Sequence, residues 1–510
     1  MPFPARKSVS QACDACRRRK IRCNAQQPCA GCQSSGLACT FIIPHGRGGK
    51  KGAKATVLHE LRTQQSDGRI EQQTSPEITS PSASPHRLTC PSNGSPSCGT
   101  LDPAIVDACI EAYLQRVYPV IPFLTREILQ REARQASESP LSRQFLAAFC
   151  AYVVGFGGVL NNTVLPPYMP DSDLGRQLLD VALRFQTADR VTTQSPQAIF
   201  ISFFLYGAYA GLGEYRNGWF YLREATTLFM LQMGDSEADW FSPAVFRRLY
   251  WILVVSERSH GIRKNRPITL QLTAEAPRLD DPEELGLRYL ADIFRPFDEI
   301  FFAVWNGSRR DCSKQWLLGV ENDVRTALPE TLDLSKEQVA NLRVTQLWLQ
   351  VKLWELFPRF GFLSSESVNE CLTFRYPITL ARDLTILAMK LPIGGLQIHG
   401  VGMTEKIFDL ACALADVLPF VSFAASQLEL GPVDYLVQTT SLLTKLPGGS
   451  SKFVPLLLAK VNDLLPELVK PVCEAIQLPV VQMHPLSPDS QFLYEQEVPM
   501  NLYTDLRRGK

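Results

Sequence analysis

The spacing of six cysteines near the N-terminus constrains the fold of this chain more than any other feature. Six of the 14 cysteines lie within 27 residues, and the other eight are scattered from Cys90 to Cys473. The six form two copies of one unit, C-x2-C-x6-C, and are Cys13, Cys16, Cys23, Cys29, Cys32 and Cys39. Two thiolates separated by two residues at the start of a helix can bind the same metal ion, and a third sulfur raises the count to three per unit.

A binuclear zinc cluster is the arrangement that this repeat predicts for residues 13–39. A closed zinc site needs four ligands, so six sulfurs can serve two ions only if two thiolates bridge both ions. Zn²⁺ would also supply the folding energy that so short a segment cannot obtain from a core. The alternatives are a disulfide knot and a single four-ligand zinc site with two spare thiols. The lack of an apolar signal segment at the start argues against the first, and the repetition of the unit argues against the second.

Positive charge is concentrated beside these cysteines. The whole chain carries 52 Lys and Arg against 51 Asp and Glu, a net charge of +1. Residues 1–62 contain twelve basic and two acidic residues, a net charge of +10, which leaves −9 for the other 448 residues. A small cationic segment on a mildly acidic body predicts an anionic partner for the N-terminal segment alone.

The two halves of the cysteine repeat differ in the residues between their second and third cysteines. The first half carries five cations in six residues, and the second half carries none. The basic run is Arg17, Arg18, Arg19, Lys20, Ile21 and Arg22. A short helix whose end carries Arg and Lys can enter the major groove of DNA, donate to guanine and bind phosphates. We therefore predict that the first half contacts DNA and that the second half is structural. Nuclear import is an alternative role for the same run, and the two roles are compatible.

The chain resembles the fungal Zn₂Cys₆ family of transcription regulators. The likeness covers every ligand, the spacings and a proline in the connecting loop, Pro28. The resemblance implies two Zn²⁺ ions bridged by Cys13 and Cys29. It also implies that Lys20, helped by Arg19, reads a CGG-like triplet in double-stranded DNA. Three further residues match phosphate-contacting positions of the family: Arg17, Arg22 and Gln11.

Two linkers are predicted between the cluster and the rest of the chain. Residues 40–62 form a basic linker with a short helix, whose apolar pattern lasts about one heptad instead of the three or four that a dimerising coiled coil needs. Many relatives dimerise at this point, so a homodimer stays open. Residues 63–100 contain 18 Ser, Thr or Pro among 38 residues, which predicts a disordered linker. Its four Ser-Pro pairs are either phosphorylation sites or ordinary features of a disordered spacer.

The long remainder, residues 101–480, is predicted to be one all-α domain or two closely packed lobes. Apolar residues recur mostly at intervals of three and four, as on the face Phe246, Leu249, Tyr250, Leu253 and Val254 of a helix that begins near Ser242. Three stretches resemble the fungal-specific transcription factor domain, or middle homology region: residues 118–124, 219–231 and 247–268. Asn265 stands where that family usually has glycine.

No catalytic motif or cluster is apparent in this long domain. The six histidines are dispersed, and the sequence lacks G-x-S-x-G, H-E-x-x-H and dinucleotide-binding patterns. We therefore predict no enzyme activity. His260 lies near Arg258 and Arg263 and is either part of a site for an anionic metabolite or a buried helix residue. The longest apolar run, Phe145 to Leu160, is too short to span a bilayer, so we expect an intracellular chain.

The tail, residues 481–510, combines aromatic and leucine residues with acids, a composition typical of flexible activation segments that bind transcription coactivators. A docked C-terminal element is the alternative. Taken together, the features predict a mainly α, nuclear, zinc-dependent and sequence-specific DNA-binding transcription factor for RNA polymerase II. A pathway-specific activator of a secondary-metabolite gene cluster is the preferred role. The alternatives are a regulator of carbohydrate or nutrient utilisation and a DNA-bound repressor or scaffold.

Overall fold

The computed structural model describes residues 12–41, 101–155, 171–186, 195–232, 242–421 and 430–477. The chain divides into two compact units, Met1–Ser95 and Pro96–Lys510. Several expectations lie outside the described residues: the role of Gln11, almost all of the basic linker, the linker of residues 63–100 and the tail of residues 481–510.

The described part of the N-terminal unit contains two short helices, α1 (Asp14–Arg18) and α2 (Ala30–Gln33). Its buried core consists almost entirely of cysteine sulfurs, with Ala15 and Leu37 as the remaining buried apolar residues. The two ends of the segment are joined, because the Asp14 N–H donates to the Thr40 carbonyl at 2.8 Å and the Thr40 hydroxyl donates to the Asp14 carboxylate at 2.9 Å. A core of this size is too small to hold a fold without a further source of stability.

The described part of the second unit is helical, as predicted, and contains no strand. Its helices are α3 (Pro103–Ala112), α4 (Arg126–Gln135), α5 (Pro140–Gly155), α6 (Asp171–Arg184), α7 (Pro196–Gly211), α8 (Tyr215–Gln232), α9 (Pro243–Lys264), α10 (Leu285–Phe294), α11 (Glu299–Trp305), α12 (Lys314–Thr326), α13 (Lys336–Trp354), α14 (Leu356–Arg359), α15 (Tyr376–Lys390), α16 (Ile393–Gln397), α17 (Gly400–Val417), α18 (Pro432–Thr444), α19 (Val454–Leu464) and α20 (Pro466–Ala475). Single π-helical turns occur at Tyr113–Val117 and Gly449–Phe453, and 3₁₀ turns at Pro282–Glu284, Glu370–Leu372 and Leu418–Phe420.

Helix α9 shows how local sequence determines where a helix begins and ends. The hydroxyl of Ser242 caps the start by accepting a hydrogen bond from the Val245 N–H at 3.3 Å, and Pro243 occupies the first helical position. The helix ends at Asn265, which adopts a left-handed conformation with φ 49° and ψ 54°. Asparagine tolerates this conformation better than most residues, so a left-handed turn forms here without glycine.

The helices of the second unit share one continuous hydrophobic core that runs from Val106 to Cys473. Helices α5 and α7 approach closely because glycines face each other: a Cβ added to Gly211 would lie 2.6 Å from the carbonyl oxygen of Gly155. Five of the six described cysteines of this unit are buried in the core, whereas Cys312 is half-buried. None of the described helices is long and apolar enough to cross a membrane.

Charged residues are also buried between these helices. Arg248 of α9 donates to Glu284 at 2.8 Å, and both side chains are almost fully enclosed. Arg258, further along the same helix, donates to the carbonyl oxygen of Phe297 at 2.9 Å. Both arginines belong to the stretch that resembles the middle homology region, and here they join α9 to the segments that follow it.

Candidate zinc cluster and nucleic-acid interface

Four of the six predicted ligands converge in the N-terminal unit. The sulfurs of Cys13, Cys16, Cys29 and Cys32 all lie within 4.8 Å of one another, and all four residues are buried. The short helices place them there. Cys13 and Cys29 are the N-caps of α1 and α2, and their sulfurs accept hydrogen bonds from the N–H groups of Cys16 at 3.4 Å and Cys32 at 3.3 Å. With the C-x2-C spacing, both thiols of each pair therefore lie at the start of one helix.

The distances between these sulfurs fit a shared zinc environment. Cys13 Sγ lies 3.7 Å from Cys29 Sγ and 3.6 Å from Cys32 Sγ, and Cys16 Sγ lies 3.4 Å from Cys29 Sγ. Two sulfurs on a tetrahedral Zn²⁺ with bonds of about 2.3 Å are about 3.8 Å apart. The residues present therefore fit the metal. Cys13 Sγ lies within 3.7 Å of both Cys29 and Cys32, and Cys29 Sγ lies within 3.7 Å of both Cys13 and Cys16.

The remaining predicted ligands, Cys23 and Cys39, flank this group and are half-buried. Cys23 Sγ accepts a hydrogen bond from the N–H of Cys13 at 3.4 Å, and Cys39 Sγ accepts one from the N–H of Cys29 at 3.3 Å. The two halves therefore repeat the same hydrogen bonds with the same spacing. The repetition in the sequence corresponds to a repetition in the geometry.

The thiols of the cluster differ in how readily they ionise. Burial raises the pKa of Cys13, Cys16 and Cys32, and for Cys32 the value is about 12. Burial also opposes ionisation of Cys29, but the Cys32 N–H and the neighbouring thiols donate to its sulfur and lower its pKa to about 6. Because zinc binds thiolates, metal binding displaces protons from the thiols that burial keeps protonated. When bound, Zn²⁺ supplies folding energy to this small unit.

The basic run lies at the C-terminal end of α1, in the first half of the cluster. Arg17 and Arg18 form the last turn of α1, and Arg19 is its C-cap. Arg18, Lys20 and Arg22 are exposed, whereas Arg17 and Arg19 are half-buried. Lys20 adopts φ 54°, which ends the helix and turns the chain. The corresponding stretch of the second half, residues 33–38, carries no charge, so the predicted difference between the halves is present in the folded unit.

Two contacts in this unit could not be predicted from the spacing of the cysteines. Arg19 Nη1 donates to the carbonyl oxygen of Gly31 at 3.4 Å and so joins the basic run to the second half. Gly31 itself lies close to the cluster, because a Cβ added there would be 3.3 Å from Cys16 Sγ. Both contacts join residues that are more than ten positions apart, and no local pattern signals them.

Comparison with known proteins agrees with this geometry. Residues 11–48 match the fungal Zn(2)-Cys(6) binuclear cluster domain. The maltose fermentation regulatory protein MAL13 of Saccharomyces cerevisiae is 22% identical over 80% of this chain and 84% of its own length. The probable sucrose utilization protein SUC1 of Candida albicans is 23% identical over 81% of this chain and 79% of its own length. The azaphilone cluster-specific transcription factor azaR of Aspergillus niger is 24% identical over 55% of this chain and 63% of its own length. The predicted resemblance to fungal Zn₂Cys₆ regulators and the predicted zinc cofactor are thereby confirmed.

Proposed function

We propose that this chain, a fungal DNA-binding transcription factor with a Zn(2)-Cys(6) cluster, recognises CGG-like triplets. It activates the RNA polymerase II genes of one pathway. The observation that carries the proposal is the separation of roles within the N-terminal unit. Sulfur ligands fill its interior, and the exposed side chains of Arg18, Lys20 and Arg22 extend from one half only. Such an arrangement presents positive charge to DNA from one side of a rigid module.

All six cysteines are zinc ligands in this proposal, and Cys13 and Cys29 bridge the two ions. Support comes from the sulfur distances, because Cys13 and Cys29 lie 3.7 Å from each other and each also lies close to a second thiol of the opposite half, at 3.6 and 3.4 Å. A bridging sulfur must lie within bonding distance of both ions, and only a position between the halves allows this.

The basic residues divide between base and phosphate contacts. Lys20 donates to the guanine edge, and Arg19 supports it through its hydrogen bond to Gly31. Phosphate contacts are assigned to the other basic side chains and to one amide: Arg17, Arg18, Arg22 and Gln11. The proposed place of action is the nucleus, and the proposed second class of partner is a transcription coactivator that binds residues 481–510. A homodimer that reads paired triplets is part of the same proposal.

Substitution of Lys20 tests the DNA-binding assignment. Lys20→Met keeps the apolar stem and removes the ammonium, so affinity for a CGG duplex should fall by about 1–3 kcal/mol while affinity for a scrambled triplet changes little. Arg22→Met is the matched control for a phosphate contact. It should weaken both duplexes alike and lower the slope of log affinity against log salt by about 0.9. Fluorescence anisotropy at several salt concentrations measures both effects, and equal losses on the two duplexes for Lys20→Met contradict the assignment.

A secondary-metabolite gene cluster is the first candidate pathway, and the similarity to the azaphilone regulator supports it. Carbohydrate utilisation is the second candidate, because the maltose and sucrose proteins match about four fifths of this chain. Deletion of the gene in its own organism, followed by transcript sequencing, separates the two candidates. Silencing of one contiguous block of genes supports the first, and carbon-source-dependent changes in scattered hydrolase and transporter genes support the second. A general rise in transcripts contradicts activation and favours a repressor.

A further inference from the structure

A cavity of about 260 Å³ lies inside the helical unit, where α7, α9 and α17 meet. Its volume lies just below the range typical of small-molecule sites, about 300–1,000 Å³, so only a small ligand fits. Much of its wall is apolar, and the wall includes Val117, Ile121, Phe203, Ile252, Leu290 and Met403. A ligand with an apolar body is therefore the kind of molecule that this space can hold.

The cavity wall contains more cationic than anionic side chains, although Arg263 also pairs with Asp409 at 3.4 Å. The wall contains four cationic side chains and one carboxylate: Arg116, Arg263, Lys264 and Lys406 against Glu405. Glu405 is already engaged, because Arg263 lies 3.2 Å from it and the Tyr215 hydroxyl donates to it. A negatively charged ligand therefore suits this wall where a cation forms no ion pair with a carboxylate.

The ammonium of Lys406 belongs to this wall and lies over the Trp348 ring, 5.8 Å from its centroid. Its ammonium donates to the hydroxyl of Thr345 at 2.7 Å and forms no salt bridge within the described part of the chain. Burial, and then the positive charge of Arg263, lower the pKa of Lys406 to about 8. An anion beside this ammonium would replace the water that burial has removed.

His260 adds an unused hydrogen-bonding atom to the same cavity. The side chain is 6% exposed, stacks on Trp219 with ring centroids 5.2 Å apart, and has no hydrogen-bond partner for Nε2 among the described residues. Burial, and then the nearby cations, lower its pKa to about 3, so the imidazole is neutral. A buried polar atom without a partner is costly, and a ligand that pairs with it removes that cost.

We propose that this cavity binds a small amphipathic carboxylate. The carboxylate pairs with Lys406 and the apolar part of the ligand lies against the wall, while His260 provides a further hydrogen bond. The sequence offers two interpretations of His260, a buried helix residue and part of an anion site. The structure is compatible with both. The proposal concerns the helical unit alone and does not depend on DNA binding.

Gly402 offers a way to block the cavity without disturbing the packing. It lines the cavity, and a Cβ added there would meet no other atom within 4 Å. Gly207 lines the same cavity but is unsuitable, because a Cβ there would lie 2.3 Å from the ring of Tyr152. Gly319 in α12 is a matched control, since it is also helical, has the same free space and lies outside the cavity.

Isothermal titration calorimetry on the full-length, zinc-loaded chain tests the proposal with octanoate, 1-octanol and maltose. Octanoate should bind at one site, and octanol should bind about tenfold or more weakly because it cannot form the charged hydrogen bond. Maltose should not bind. Lys406→Gln should reduce octanoate affinity to that of octanol without changing the affinity for octanol.

The blocking variants complete the test. Gly402→Leu should abolish binding of octanoate, and Gly319→Leu should leave it unchanged, with circular dichroism used to verify that both variants are folded. The proposal is overturned if octanoate does not bind, if octanoate and octanol bind equally well, or if Gly402→Leu retains wild-type affinity. Binding of maltose in place of octanoate would also overturn it and would indicate a sugar site.

Discussion

The ion pair between Lys460 of α19 and Asp416 of α17 provides a quantitative test of the helical core. The Lys460 ammonium lies 2.8 Å from Asp416 Oδ2, and the two side chains are 0% and 3% exposed. Asp416 Oδ1 accepts no hydrogen bond within the described residues, so Lys460 is the main compensation for the buried carboxylate. Removing one partner of such a pair leaves an uncompensated charge and costs about 3–5 kcal/mol. We therefore expect Lys460→Met, which preserves most of the side-chain volume, to lower the free energy of unfolding by that amount.

The pH dependence of this loss follows from the pKa of Asp416. Burial raises the pKa to about 6 even though Lys460 opposes the shift, and the pKa should rise further in Lys460→Met. A carboxyl whose folded pKa lies above its unfolded value of 3.8 contributes stability at low pH, and that stability is lost as pH rises through the folded pKa. The destabilisation by Lys460→Met should therefore be smaller at pH 5 than at pH 8, because protonation neutralises Asp416.

Urea unfolding followed by far-UV circular dichroism measures both effects. Lys470→Met is the matched control, because Lys470 and Glu474 are 3.8 Å apart on the surface, with side chains 74% and 62% exposed. It should cost less than about 1 kcal/mol. The double variant Asp416→Leu with Lys460→Met should recover most of the loss. The reasoning fails if Lys460→Met costs no more than Lys470→Met, or if its cost is the same at both pH values.

Three further predictions concern local features. Chelation of zinc should abolish DNA binding while far-UV circular dichroism changes little, because the two helices of the cluster unit contain only 5 and 4 residues. A large loss of helicity would contradict the assignment of zinc to this unit. Asn265→Val should lower the free energy of unfolding by about 1–2 kcal/mol relative to Asn265→Gly, because φ is 49° at this position. Equal melting temperatures of the two variants would contradict the role of the left-handed cap. Gly207→Ala should cost about 1–3 kcal/mol in chemical unfolding, because its Cβ would meet the Tyr152 ring at 2.3 Å, whereas the helical Gly319→Ala should be neutral or stabilising.

The zinc cluster and the helical class were predictable because both depend on short-range patterns. Cysteines separated by two residues can meet at the start of one short helix, as Cys13 and Cys16 do in α1. The start of α9 at Ser242 combines a capping side chain with a proline at the next position. The left-handed conformation of Asn265 was not predictable from the sequence, because asparagine adopts it less readily than glycine and the surrounding packing decides.

The sequence by itself determined the presence of a zinc cluster near the N-terminus, the basic run on one half and the helical nature of the long unit. Only the tertiary structure decided which charges are paired, as in Arg263 with Glu405 and Lys460 with Asp416, and where a cavity remains between α7, α9 and α17. The physical reason is the range of the interactions. Helix periodicity and metal-ligand spacing act over a few residues, whereas burial, pKa shifts and cavities depend on side chains that come together from distant parts of the chain.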